Sequence, residues 1–149
     1  MFDPVSHTVL IEAPPERVWM TLTNIREMIA WMAEPEMQLE IDTNWIVGES
    51  ITIRGFHHAH FENRGLVRQF APPYHLEYSQ LSSISGLADT PENHSIFEFR
   101  LDPVGGRTSL TITLRNFPTE SIFRHLDFYW RVTVGLLKKF VEEKEPSLR

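Results

Sequence analysis

The period of apolar and polar positions changes along the chain, and each change marks an element. From Ser6 to Glu12, Val9 and Ile11 fall on one face and Thr8 and Leu10 on the other, the two-residue repeat of a strand, which Pro14 and Pro15 end. The spacing then predicts a helix over Glu16 to Thr23 that buries Val18, Trp19 and Leu22. Pro15 fits its first turn, where an amide hydrogen has no partner to lose, and Glu16 suits the positive end of the helix dipole. Asn24 interrupts the period. Ile25, Met28, Ile29 and Met32 resume it until Pro35, giving two short helices or one kinked helix.

Beyond Pro35 the period is that of strands. Met37, Leu39 and Ile41 alternate with Gln38, Glu40 and Asp42, and Ile51 and Ile53 alternate with Thr52 and Arg54, a hairpin turning between Asn44 and Gly48. Asn63 to Phe70 and Tyr74 to Leu81 form another pair around Ala71, Pro72 and Pro73. Phe97, Phe99 and Leu101 pair with Leu110, Ile112 and Leu114 across a Gly105-Gly106 turn. Ser82 to Asn93, small and polar, reads as a long loop. From Thr119 to Lys144 the helical period returns: Ile122, Leu126, Tyr129, Trp130, Leu137, Phe140 and Val141 form a stripe, with Arg124, Asp127, Arg131, Lys138 and Glu142 opposite. A fully helical segment there is about 39 Å long at about 1.5 Å per residue. Its apolar stripe requires cover, and a bent antiparallel sheet wrapped along it supplies that cover, with room for a pocket between them.

Composition narrows the uses of such a container. At 149 residues, 42% hydrophobic and 23% charged, the chain reads as one domain over residues 1–149. A formal charge of -6 offers no basic field for a nucleic-acid backbone or an anionic membrane. There is neither a spanning apolar stretch nor a signal-peptide pattern, so the expected location is cytoplasmic. The absence of cysteine removes disulfides, thiolate nucleophiles and cysteine-ligated zinc.

His57, His58 and His60 form the densest titratable cluster. On an extended strand His58 and His60 share a face, the start of a metal site or a source of acid-base chemistry, but zinc needs more ligands than these, and a solvated strand face is the plainer reading. Glu77 alternates with Leu76 and Tyr78, and Glu98 with Phe97 and Phe99, which points both carboxylates outward and removes the obvious general base. No nucleophile motif, phosphate loop or dinucleotide fingerprint is present. Neither a cofactor nor a metal is expected.

The run Ile11-Glu12-Ala13-Pro14-Pro15-Glu16-Arg17-Val18-Trp19, with Leu22-Thr23 and Ile29 to Trp31, resembles the opening of the activator of heat-shock-protein ATPase homologue-like branch of the START-related helix-grip (SRPBCC) superfamily. Trp45 with Val47-Gly48-Glu49, Gly65 to Val67 with Pro72-Pro73, Leu76 and Tyr78, and Thr108, Leu110 and Thr111 before Phe117 resemble its later landmarks. Trp130, Val134, Leu137 and Lys138 resemble its closing helix. Tyr129 stands where the family often has glycine, which adds bulk at mid-helix, and Trp31-Met32 stands where it often has a tryptophan pair. The resemblance implies an α+β helix-grip fold: a strand, two short helices, about six more antiparallel strands and a gripped C-terminal helix. It implies a range of tasks, namely carriers of lipids and hydrophobic ligands, polyketide cyclases and hydratases, and co-chaperone domains.

The leading reading is a small intracellular protein that holds a hydrophobic or aromatic small molecule between sheet and helix. Trp31, at the mouth, with Tyr78, Phe97, Phe99, Leu126 and Trp130, would supply apolar lining. Tyr129, Thr133, His58 and His60 would supply polar contacts. A cyclase or hydratase using His58 or His60 with Tyr129 is the second reading. The third is a protein-interaction module with a solid interior, in which Phe128 and Val132, off the main stripe, make a partner or homodimer contact.

Overall fold

The computed structural model describes residues 2–144. Seven strands run β1 (Val5–Ile11), β2 (Glu40–Thr43), β3 (Ser50–Phe56), β4 (His60–Ala71), β5 (His75–Ser82), β6 (Ser95–Val104) and β7 (Arg107–Arg115). They form one antiparallel sheet in the order β1-β7-β6-β5-β4-β3-β2. Helices α1 (Pro15–Thr23) and α2 (Ile25–Met32) follow β1, and α3 (Glu120–Glu143) closes the described chain. This is the α+β helix-grip arrangement. None of the described helices is long and apolar enough to cross a membrane.

Local chemistry sets the boundaries. Pro15 opens α1, and the backbone N–H of Asn24 closes it on Met20 O. The Asn24 side chain also accepts from Glu27 N at 3.2 Å, so one residue ends α1 and caps α2, and the chain makes two helices rather than a kinked one. Thr119 Oγ1 accepts from Ile122 N at 3.1 Å and caps α3. Gly105 and Gly106, at φ 57° and 88°, supply the left-handed pair that a two-residue hairpin between β6 and β7 requires.

Three segments differ from expectation. Gln38 adopts φ 50° and Pro35–Met37 forms a single 3-10 turn, so Met37 and Leu39 precede the short β2 instead of belonging to it. Residues 57–59 form a turn between β3 and β4, with His58 at φ 65°, so His58 and His60 do not share a strand face. The loop after β5 carries two single 3-10 turns, Ser83–Ser85 and Pro91–Asn93.

The inward face of α3 presents Leu126, Trp130, Thr133, Val134, Leu137 and Val141 to the core, where Phe97, Phe99, Leu101, Leu110, Ile112 and Leu114 from β6 and β7 are buried with them. Met28, Ile41 and Ile53 make a smaller cluster under α2. Asp127, Lys138 and Glu142, expected on the outward side, instead tie a flank of α3 to β1. His7 Nε2 lies 2.8 Å from Asp127 Oδ1, Lys138 Nζ donates to Leu10 O at 2.7 Å, and Glu12 N donates to Glu142 Oε2 at 2.8 Å. The true outward stripe is apolar: Phe128, Val132 and Leu136 are 65%, 48% and 51% exposed.

Sheet curvature has its sharpest requirement at Gly65. A Cβ there would lie 1.6 Å from Ser79 O, so β4 and β5 approach in a way no side chain permits. Leu66 N donates to Ser79 Oγ at 3.0 Å, and the register shifts between Val67 and Gln69. The bend brings β4 and β5 round the core side of α3.

Candidate functional site

Trp130 is the centre of the interior. Its ring is 5.8 Å from Phe97, 5.6 Å from Phe99, 6.2 Å from Trp31 and 5.2 Å from Tyr129, centroid to centroid. Tyr78 extends the set, 5.5 Å from Phe97, 5.8 Å from Phe99 and 6.2 Å from Trp45. The alternation of β5 and β6 places these rings, because Tyr78 pairs with Phe97 and Leu76 with Phe99 on the face that meets α3. Edge-to-face pairs of this kind add about 0.5 to 1.5 kcal/mol each beyond area burial. The space beneath Trp130 is therefore filled with aromatic rings.

Two phenols lie among them. Tyr78 is 3% exposed and lies against the Phe97 and Phe99 rings. Burial pushes its pKa well above the ordinary tyrosine value, and the neighbouring Tyr129 adds to the rise. Burial also raises Tyr129, and the Thr133 hydroxyl pulls it part of the way back. Thr133 itself is buried and donates to Tyr129 O at 2.6 Å. Both phenols stay neutral near pH 7, as donors or acceptors set in apolar surroundings.

The structure thus brings together eight of the ten candidate lining residues: Trp31, Tyr78, Phe97, Phe99, Leu126, Tyr129, Trp130 and Thr133. Trp31 sits inside rather than at a mouth, with Nε1 donating to Thr21 O at 2.8 Å. His58 and His60 are not part of this group. Both are exposed beside the β3–β4 turn, where His58 packs on His57 and His60 on Phe56. A tight turn of three residues cannot carry a strand's alternation, and that moves the pair away from Tyr129.

His60 instead lines an open groove of about 770 Å³ with Met37, Phe56 and Phe61. Its charged wall is Arg54, paired with Glu40, Asp42 and Glu62. A crevice next to Tyr78, lined by Ile51, Ile53, Asn63 and Arg64 among others, has no room for a water.

The opposite face of the sheet holds a charged lattice that sequence reading missed. Glu77 faces away from α3 as expected, yet it is only 5% exposed, because Arg68 Nε at 2.7 Å and an Arg115 nitrogen at 3.0 Å cover it. Arg115 also reaches Glu98 at 3.3 Å, and Glu98 holds His75 at 2.7 Å and Arg100 at 3.0 Å. Burial alone would raise the Glu77 pKa. The hydrogen bonds and charges of Arg68 and Arg115 outweigh it and hold the carboxyl below its usual range. Ligand atoms of His75, Glu77 and Glu98 lie within 4.8 Å of one another, the spacing of a metal triad. Three guanidinium groups already neutralise the two carboxylates, so a divalent cation would have to displace them, and the donor set does not fit one. The signal was available in the pairing Glu77↔Glu98 with His75↔Arg100, but only once the β5–β6 register was fixed.

With this geometry in hand, likenesses to known proteins become informative. Residues 12–142 match the model of the family described as activator of Hsp90 ATPase homolog 1-like protein. The chain belongs to this family. No curated protein sequence matches the chain. Among solved structures, a protein from Cytophaga hutchinsonii is 27% identical over 96% of each chain, with a TM-score of 0.79. The Aha1 dimer from Colwellia psychrerythraea is 21% identical over 95% of this chain and 97% of its own, with a TM-score of 0.73. A protein from Chromobacterium violaceum, 17% identical over 93% of this chain and 96% of its own, has a TM-score of 0.79. The last two likenesses establish the shared fold and no more.

Proposed function

We propose that the chain is a small cytoplasmic binding protein that takes one hydrophobic or aromatic molecule between its sheet and α3. The observation that carries this reading is the convergence of two phenols, Tyr78 and Tyr129, within a set of aromatic rings between the sheet and α3. A ligand carbonyl or hydroxyl would find hydrogen-bonding partners in these phenols within otherwise apolar surroundings. Tyr129 and Thr133 stand on the facing helix to hold the same polar group, and Trp31, Phe97, Phe99 and Trp130 to sandwich the apolar body. Entry requires the Trp130 and Tyr129 rings to part, so binding is coupled to a repacking of the core.

The placement of His58 and His60 outside this cluster weighs against proton transfer by either of them to a molecule held there. The phenols position a ligand without transforming it. Native mass spectrometry of gently purified protein, followed by a thermal-shift screen of lipids and aromatic metabolites, tests the proposal. A retained species whose affinity drops in Tyr78→Phe supports it, and the absence of any bound species or shift across the screen counts against it.

A second reading, self-association, is favoured by the exposed apolar face of α3, and the dimeric state of the Colwellia protein is in keeping with it.

A further inference from the structure

The open groove beside the β3–β4 turn stands apart from the interior. Its volume of about 770 Å³ falls within the usual range of small-molecule sites, about 300 to 1,000 Å³. It shares no residue with the rings around Trp130, and the Phe61 ring that lines it packs instead against the smaller cluster of Met28, Ile41 and Ile53. Close packing sets one wall. A Cβ on Gly55 would lie 3.0 Å from Met37 O and 3.3 Å from Phe61 Cζ, so the bare backbone there lets the 3-10 turn at Pro35–Met37 come down on β3.

Charge selects what such a groove can hold. Arg54 is held by three carboxylates: Glu40 at 3.0 Å, Asp42, and Glu62 at 3.9 Å. Glu62 is shared with Arg64 at 2.6 Å, and Arg64 in turn reaches Asp89 at 3.9 Å. Two guanidinium groups thus face four carboxylates, an excess of two negative charges. The chain's three lysines, Lys138, Lys139 and Lys144, lie in α3 or at its C-cap, not on β2, β3 or β4. An anion therefore meets guanidinium groups already engaged, whereas the Glu40 and Asp42 side chains, each 70% exposed, stay open to a cation from solvent.

The rest of the groove is apolar and aromatic. Phe56, 42% exposed, meets the His60 ring edge-on at 5.1 Å, and Met37 and Phe61 continue the surface. A ring face beside excess negative charge attracts a cation twice, through the ring quadrupole and through the carboxylates.

We propose that this groove binds a small organic cation, a primary amine on an aryl-alkyl body. Its ammonium hydrogens donate to Glu40 and Glu62, with Asp42 adding to the field, and its apolar body lies along Met37, Phe56 and Phe61. The site is separate from the interior site proposed above, and neither depends on the other.

An NMR titration of the full chain with three probes of similar shape tests this: phenethylammonium, its neutral counterpart phenethyl alcohol, and the anion hydrocinnamate. Phenethylammonium should shift the Met37, Gly55 and His60 signals and leave those of Trp130 in place. It should bind about fivefold tighter than the alcohol at low salt, with the gap closing as salt is added, and hydrocinnamate should bind weakest. Replacing both exposed carboxylates, Glu40→Gln with Asp42→Asn, should bring the ammonium down to the affinity of the alcohol with unchanged circular dichroism. Equal affinity for ammonium and alcohol in the parent chain, tightest binding of hydrocinnamate, an ammonium affinity untouched by the double substitution, or no groove shifts at any attainable concentration would each overturn the proposal.

Discussion

Gly65→Ala is the perturbation whose effect can be worked most closely from the geometry. The added Cβ would sit 1.6 Å from Ser79 O and 2.4 Å from Ser79 C, whereas real Cβ contacts stop near 3.0 Å. Relief requires β4 and β5 to separate by at least 3.0 − 1.6 = 1.4 Å. That is close to a third of the usual spacing between strands, about 4.8 Å. The obstacle is backbone, so no side-chain rotation relieves it. Overpacking of a well-filled site costs about 1 to 3 kcal/mol, and this case belongs at the upper end. The shift also threatens the Leu66 N to Ser79 Oγ bond and the Val67–Tyr78 pairing, at about 1 kcal/mol each. The expected loss is about 4 kcal/mol, a fall in Tm of about 8 to 16 °C for a chain of this size. Urea unfolding followed by tryptophan fluorescence measures it. Gly135→Ala, in α3 with open space around it, should change stability in the opposite direction by about 0.5 to 1 kcal/mol when measured on dilute protein. A Gly65→Ala protein within 0.5 kcal/mol of the parent would refute the reasoning about how the sheet bends.

Other consequences follow from the same packing. Trp130→Ala should cost about 3 to 5 kcal/mol and leave a cavity that indole refills, raising the variant's Tm and not the parent's; calorimetry with and without indole decides it. Arg115→Leu should lower stability at pH 7 through the loss of its contacts with Glu77 and Glu98. The Glu77 carboxyl is depressed in the folded chain, so its contribution is present above the unfolded carboxyl pKa and fades as pH falls through the folded one. The gap between parent and Arg115→Leu should therefore narrow on acidification below about pH 4.5; a constant gap would show that Glu77 is not the coupled group. Trp31→Phe should cost about 1 to 3 kcal/mol by leaving Thr21 O unpaired in the interior, a loss that denaturant titration would register.

The sequence made the inner architecture legible and the outer one less so. Strict alternation in β6 and β7 and the stripe ending at Val141 identify residues that must face each other across a core, and the aromatic cluster follows from that alone. Asn24 is ambiguous as a sequence signal but decisive as a structure, because its backbone N–H ends α1 and its side-chain oxygen caps α2. The histidine turn is not legible from alternation, because the left-handed backbone of His58 breaks the period within residues 57–59. The burial of Glu77 depends on Arg68 arriving from the adjacent β4 and Arg115 from β7, two strands away, which no local pattern encodes. The direction of α3 was likewise ambiguous on its polar side, since a charged flank that grips β1 and a charged face that meets water have the same spacing.

The ligand proposal meets its most direct test in an NMR titration with a compound recovered from, or selected on, the native protein. The account predicts intermolecular contacts and the largest shifts at Tyr78, Phe97, Tyr129 and Trp130, with weakening of the Trp130–Phe99 ring contact as the core opens. Shifts confined to Phe56, His60 and Phe61 in the groove, with the Trp130 environment unchanged, would contradict it.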